Sequence, residues 1–138
     1  MSTFDISNDA PNMLRYEAVT MSVKLDRTSD TTARISRTVP MPAAGCSSED
    51  QAYCGIVITL DTVPANISKT PTNGVMYTSD SNVDQNVFVG DSIGTSKVVG
   101  AFYNDRTSTY VDLTGLSPNV AYYVTGYPVD CELRYYVE

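Results

Sequence analysis

The residues able to do chemistry in this 138-residue chain are defined first by what is missing, since it contains no histidine. Ser-His and Cys-His nucleophile pairs are therefore ruled out. Carboxylates are left as acid/base candidates, and Asp91, Asp105 and Asp112 stand in or near turn-forming sequence. Their spacings single out no pair, so they read as solvated loop acids rather than as a catalytic couple. Asp80-Ser81-Asn82-Val83-Asp84, with Asp91 further on, partly matches an oxygen-rich calcium loop, but Gln85 stands where that loop needs glycine and Asp91 where it prefers glutamate. Gly90-Asp91-Ser92-Ile93-Gly94 lacks the lysine and following helix of a phosphate loop. Cys46, Cys54 and Cys131 have no C-x-x-C spacing and no histidine to complete a zinc site, and they read as small, half-buried thiols. No cofactor or metal is implied. Ten tyrosines against three phenylalanines and no tryptophan are the most suggestive feature. Tyr123, Tyr127, Tyr135 and Tyr136 are placed to line or edge one sheet face as a partly wet contact surface, while the plainer reading has half the tyrosines filling the core.

The elements that must carry these residues are strands. Val, Thr and Tyr recur, helix-period stripes are missing, and turn signals arrive every 8 to 12 residues, as in a β-sandwich or barrel. AVTMSVKL (18 to 25) and TTARISRTV (31 to 39) alternate apolar with polar, Arg37 included on the apolar face, before Pro40 and Pro42 end the pairing. CGIVITL (54 to 60) is nearly continuous apolar and β-branched, so it is predicted to be a central strand. TPTNGVMY predicts an Asn-Gly turn and a short strand over 75 to 77, and two short strands are predicted around Gly90 and Gly94. TYVDL (109 to 113), VAYYVTGYPV (120 to 129) and LRYYV (133 to 137) complete seven or more strands.

A net charge of −7 disfavours nucleic acid and anionic membrane surfaces as partners. No secretory signal and no long apolar segment is visible, so the expected chain is cytoplasmically made, not inserted in a membrane and unglycosylated at the Asn66 sequon. Residues 1 to 14 read as an N-terminal arm, either frayed or using Phe4 and Ile6 to anchor on a neighbouring subunit by strand addition.

Leu116-Ser117-Pro118 with Tyr122 four residues on resembles the L-x-P-x-x-x-Y corner of fibronectin type III domains. There a tyrosine at the start of strand F bonds back to the corner's backbone. Pro71-x-x-Gly74-x-x-Tyr77, Gly90-Asp91-x-x-Gly94 and Val98-Val99 are similar to the middle of fibronectin-III-like modules in bacterial and phage proteins. The resemblance implies an all-β, two-sheet immunoglobulin-like sandwich over residues 15 to 138, of about seven strands, with the N-terminal extension before it. It puts strand A at 18 to 25, B at 31 to 39, C at 54 to 60, F at 120 to 129 and G at 133 to 137. The strand-B tryptophan is missing, and Gly126 sits where a bulky residue is expected, so the centre should be under-filled unless tyrosines fill it. On the same register Cys46, Cys54 and Cys131 gather at one end of the sandwich, which makes them candidates for a disulfide between two of the three.

By analogy of fold, the resemblance implies a non-enzymatic structural protein of a tailed-bacteriophage virion, in the tail or baseplate or as capsid decoration. Its expected partners are other virion proteins and copies of itself, met through the N-terminal arm and the 78 to 89 edge. A carbohydrate- or receptor-binding module recognising a host-surface glycan through the tyrosines is the alternative. An accessory domain of a secreted hydrolase is a weaker third.

Overall fold

The computed structural model describes residues 23–37, 55–64, 70–105 and 108–136. Among them seven strands form two sheets: β1 (Val23–Arg27), β2 (Ala33–Arg37), β3 (Gly55–Asp61), β4 (Ser92–Ile93), β5 (Ser96–Phe102), β6 (Tyr110–Leu113) and β7 (Tyr123–Val129). The first sheet runs β1-β2-β6 and the second β4-β5-β3-β7, with antiparallel pairing throughout. The all-β sandwich read from the sequence is the observed architecture. No helix among the described residues is long and apolar enough to cross a membrane.

Alternation does most of the sorting in the first sheet. Val23, Leu25, Ala33, Ile35, Val111 and Leu113 face inward, while Lys24, Asp26, Arg34, Tyr110 and Asp112 face out. β3 is buried at every position because both of its faces are covered. Ile56, Ile58 and Leu60 meet the first sheet in the sandwich core; Val57 points the other way, into a second cluster with Ile93, Val98, Tyr127, Val129 and Tyr135. That second cluster lies beneath the 70–77 loop and the 130–136 segment, which contribute Tyr77 and Leu133. A continuous apolar run is what such two-sided burial requires.

The pairing of β3 with β5 shifts between Ile58 and Thr59, leaving Val99 as an extra residue on β5. The bulge turns Val99 and Gly100 to the same inner side, and a Cβ at Gly100 would stand 3.3 Å from the Ile58 Cδ1. Gly94, at φ 65°, opens the two-residue turn between Ile93 and Ser96, the place for glycine in a type II′ hairpin.

Three expectations change and a fourth holds. The core is not under-filled at Gly126, because Ile56 Cδ1 and Val23 Cγ1 occupy the space, 2.8 and 3.0 Å from where a Cβ would be. Branched aliphatics on the adjacent strand β3 and the facing strand β1, rather than tyrosines, do that filling. Residues 75–77 form no strand, and the residues after them bond singly, Asp80 N–H to Val98 O at 3.1 Å and Asp91 N–H to Thr78 O at 2.8 Å. Among the described residues 133–136 make one antiparallel bridge, Val129 to Tyr135, closed by Tyr136 N–H to Pro128 O at 2.9 Å and Asp130 N–H to Arg134 O at 3.1 Å, rather than a full strand. Finally, Arg37 does face inward, with its side chain wholly buried. Its guanidinium lies 4.5 Å from the Phe102 ring centroid and donates to the carbonyls of Ser108, at 2.6 Å, and of Asp105. Burial pulls the Arg37 pKa down, and the Asp105 carboxylate opposes that.

Candidate contact surfaces

The corner entering β7 is built as the tyrosine spacing requires. Ser117 N–H donates to the Tyr122 hydroxyl at 2.8 Å, and Asn119 takes a positive φ of 63° to complete the turn. Arg27, at the end of β1, locks it from the other sheet. Its guanidinium lies 5.3 Å from the Tyr122 ring centroid and donates to Ser117 O at 2.6 Å and Val120 O at 2.8 Å. It also reaches Asp30 O at 2.8 Å, so one side chain ties the β1–β2 turn to the corner. Nothing local in DRTSD marks Arg27 for this, since its acceptors in the corner lie some ninety residues away.

Beside the corner an open groove of about 850 Å³ is lined by Leu60, Asp61, Asp84, Lys97, Pro118 and Tyr122 among others. Asp61 is its one buried carboxylate among the described residues. Thr62 and Val63 N–H donate to its Oδ1 at 2.7 and 3.1 Å, and the Thr95 and Ser96 hydroxyls donate to its Oδ2 at 2.9 and 3.0 Å. Burial alone would push the Asp61 pKa up, but these donors together hold it below the usual carboxylate range. A carboxylate so engaged works as a brace between the end of β3 and the β4–β5 turn.

The acids considered for catalysis or calcium are similarly occupied. Asp80 accepts from Asn82 N–H at 3.0 Å and from Val89 N–H at 3.0 Å. The Asp84 and Asn82 side chains accept from Asn86 and Asp84 N–H, and Asp91 accepts from Thr78 N–H at 2.8 Å. Asp105 takes the Ser108 amide and hydroxyl, and Asp112 takes Arg34 through two nitrogens at 2.7 and 3.1 Å. No three acidic or thiol side chains converge as a metal site among the described residues.

These bonds give the 78–91 segment a defined shape without a sheet. Val83 is tucked into the sandwich core; its N–H donates to Thr114 O, and Thr114 N–H donates to Ser81 O, both at 2.9 Å. Val87 and Val89, by contrast, are 51% and 81% exposed. Two apolar side chains are thereby held out in water by a loop whose backbone is pinned from within.

The tyrosine surface expected from the sequence is largely interior. Tyr127 and Tyr135 are only 4% and 8% exposed, because the 70–77 loop and the 130–136 segment cover the sheet face on which they lie. Tyr77 N–H donates to the Tyr103 hydroxyl at 2.7 Å, Tyr103 O–H donates to Tyr135 at 2.8 Å, and Tyr135 O–H donates to Val75 O at 2.6 Å. The last bond sets the direction of the chain, since a carbonyl only accepts. Burial raises the pKa of both Tyr127 and Tyr135. Tyr123 stays on the surface at 38% exposed. Tyr110, also exposed, has Arg34 stacked 3.9 Å from its ring centroid.

Cys131 lies half-buried in the turn after β7, where burial, with Asp130 adding to it, raises its thiol pKa. Cys46, Cys54, Phe4 and Ile6 lie outside the described residues, as do the Asn66 sequon and the whole 1 to 14 arm. Comparison with protein-family models and with curated proteins found no match to this chain.

Proposed function

We propose that this chain is a non-enzymatic, fibronectin-III-like structural module of a bacteriophage virion, in the tail or baseplate or as capsid decoration, acting through contacts with other virion proteins and with copies of itself. The corner hydrogen bond from Ser117 to Tyr122 supports the fibronectin-like reading. So does the strand partition, in which the A, B and E equivalents β1, β2 and β6 face the C and F equivalents β3 and β7. The observation that carries the contact function is the 80–91 loop. Apolar side chains held rigidly in solvent lose little conformational freedom on docking, so Val87 and Val89 suit a protein partner.

Changing both Val87 and Val89 to Asp should leave the thermal transition nearly unmoved while lowering the copies of the chain incorporated in purified particles by about tenfold, the effect of losing roughly 1.4 kcal/mol of contact energy. Quantitative mass spectrometry of particles reads this directly. Wild-type chain missing from the particles would oppose the virion reading; equal incorporation of the variant would oppose the loop as the contact. Among the described tyrosines, a glycan-binding module would use Tyr123 or Tyr110, which are exposed.

A further inference from the structure

Thr72-Asn73-Gly74-Val75 is a tight turn, closed by Val75 N–H donating to Thr72 O at 3.3 Å, with Gly74 at φ 88° in its second central position as a type II turn requires. Asn73 and Gly74 are exposed, and nothing lies within 4 Å of where a Gly74 Cβ would stand. Asn-Gly is the dipeptide most open to deamidation, because a residue without Cβ lets its backbone nitrogen swing onto the preceding side-chain carbonyl carbon. Here both reacting groups are engaged. Gly74 N–H donates to Leu133 O at 2.8 Å, and Asn73 Oδ1 accepts from Tyr135 N–H at 2.9 Å. Both partners belong to the 130–136 segment. Asp130 shapes that segment by accepting from the Glu132 and Arg134 amides and from Arg134 Nε. The Tyr135 hydroxyl fastens it to Val75 O.

We propose that Asn73-Gly74 is a latent modification site, a succinimide-forming asparagine that the 130–136 segment keeps unreactive and that deamidates when this segment lifts from the 70–77 loop. Lifting breaks the Leu133 bond and releases the Gly74 N–H. Solvent base takes that proton, the nitrogen attacks Asn73 Cγ, the Cγ–Nδ2 bond breaks, and ammonia leaves. Water then opens the cyclic imide at either carbonyl, giving aspartate or isoaspartate at position 73; one water is consumed, one ammonia is released, and nothing is oxidised. Aspartate keeps an acceptor for Tyr135 N–H, so the segment can close again. Isoaspartate adds a backbone atom inside the turn and moves the Gly74 amide off Leu133, which makes a transient opening permanent.

The test incubates the full-length chain at mildly alkaline pH and follows Asn73 by peptide mass mapping, beside a synthetic peptide spanning residues 70 to 77. Conversion in the intact chain should be at least about tenfold slower than in the peptide, as expected for chemistry that waits on local opening. Asp130→Ala, which loosens the segment without touching the turn, should bring the rate toward that of the peptide. Equal rates in chain and peptide, or no acceleration in a folded Asp130→Ala chain, would overturn the proposal. If that variant does not fold, wild-type chain in sub-denaturing urea replaces it. Conversion at Asn73 should then rise together with hydrogen exchange at the Gly74 and Tyr135 amides, and conversion that stays constant while those amides exchange faster would count against gating.

Discussion

Gly126 shows how a single position is decided by its neighbours. It lies on β7 opposite Ile58, with its missing side chain directed at Ile56 and Val23 from two other strands. Gly126→Ala places a methyl 2.8 Å from the Ile56 Cδ1, so it should destabilise the fold by about 1–3 kcal/mol through overpacking, read as a lower urea midpoint with an unchanged slope. Ile56→Val in the same chain should recover part of the loss by shortening the side chain that clashes. Asp61 is decided in the same way: its four donors come from the residues just after β3 and from the β4–β5 turn. The sequence LDTV suggests a strand end, and nothing in it announces that the carboxylate will be buried.

At the scale of elements, the 78–91 segment keeps its form through side-chain acceptors rather than through a ladder. Asp80→Ala removes the acceptor of both the Asn82 and Val89 amides. Those two amides should exchange faster by hydrogen–deuterium mass spectrometry while the β3 and β5 amides keep their protection, because the loop loosens locally and the sheet core is unaffected. The regular strands were the legible elements. β2, β6 and β7 fall inside the spans that alternation picks out, β3 runs one residue past its continuous apolar span, to Asp61, and the β4–β5 hairpin falls where two glycines predicted a pair. The spans over 75–77 and 133–136 carry strand-like residues but do not pair as strands. Tyr77, Leu133 and Tyr135 pack into the second sheet's outer cluster, with Tyr135 making a single bridge, and period-two reading cannot tell such packing from a place in a full ladder. The same ambiguity bears on the candidate surface: of Tyr123, Tyr127, Tyr135 and Tyr136, Tyr127 and Tyr135 share a cluster that the chain's own 70–77 and 130–136 segments cover.

For the molecule as a whole, ionisation limits stability on both sides of neutral pH. Hydrogen bonds from Thr95, Ser96 and backbone amides overcome the burial of Asp61, amide bonds to Asn82 and Val89 lower Asp80, and Arg34 lowers Asp112. A carboxylate whose pKa is lower folded than unfolded stabilises the fold above its ordinary value, near 4, and that contribution disappears as pH falls through the folded value. Denaturant midpoints should therefore drop below about pH 4, and Asp61→Asn should flatten that acid limb relative to wild type, which cancels the general effect of neutralising an acidic surface. The buried Tyr127 and Tyr135 act in the opposite direction. Their raised values mean that the unfolded chain ionises first, so stability is intact below about pH 10 and declines as pH rises above it.

By itself the sequence determined the class of the protein: strands with one-sided or two-sided burial, a tyrosine corner, glycines at turns, and no histidine for nucleophile activation. These are local properties, set by side-chain alternation over a few residues and by which residues tolerate φ > 0. Only the tertiary structure decided which polar and aromatic side chains are exposed. Asp61 became an internal brace and Arg27 a surface one, Tyr77, Tyr103, Tyr127 and Tyr135 joined a second core, and Val87 and Val89 were left in water. Exposure depends on what packs from distant parts of the chain, and the partners here lie tens of residues away, beyond the reach of any local pattern.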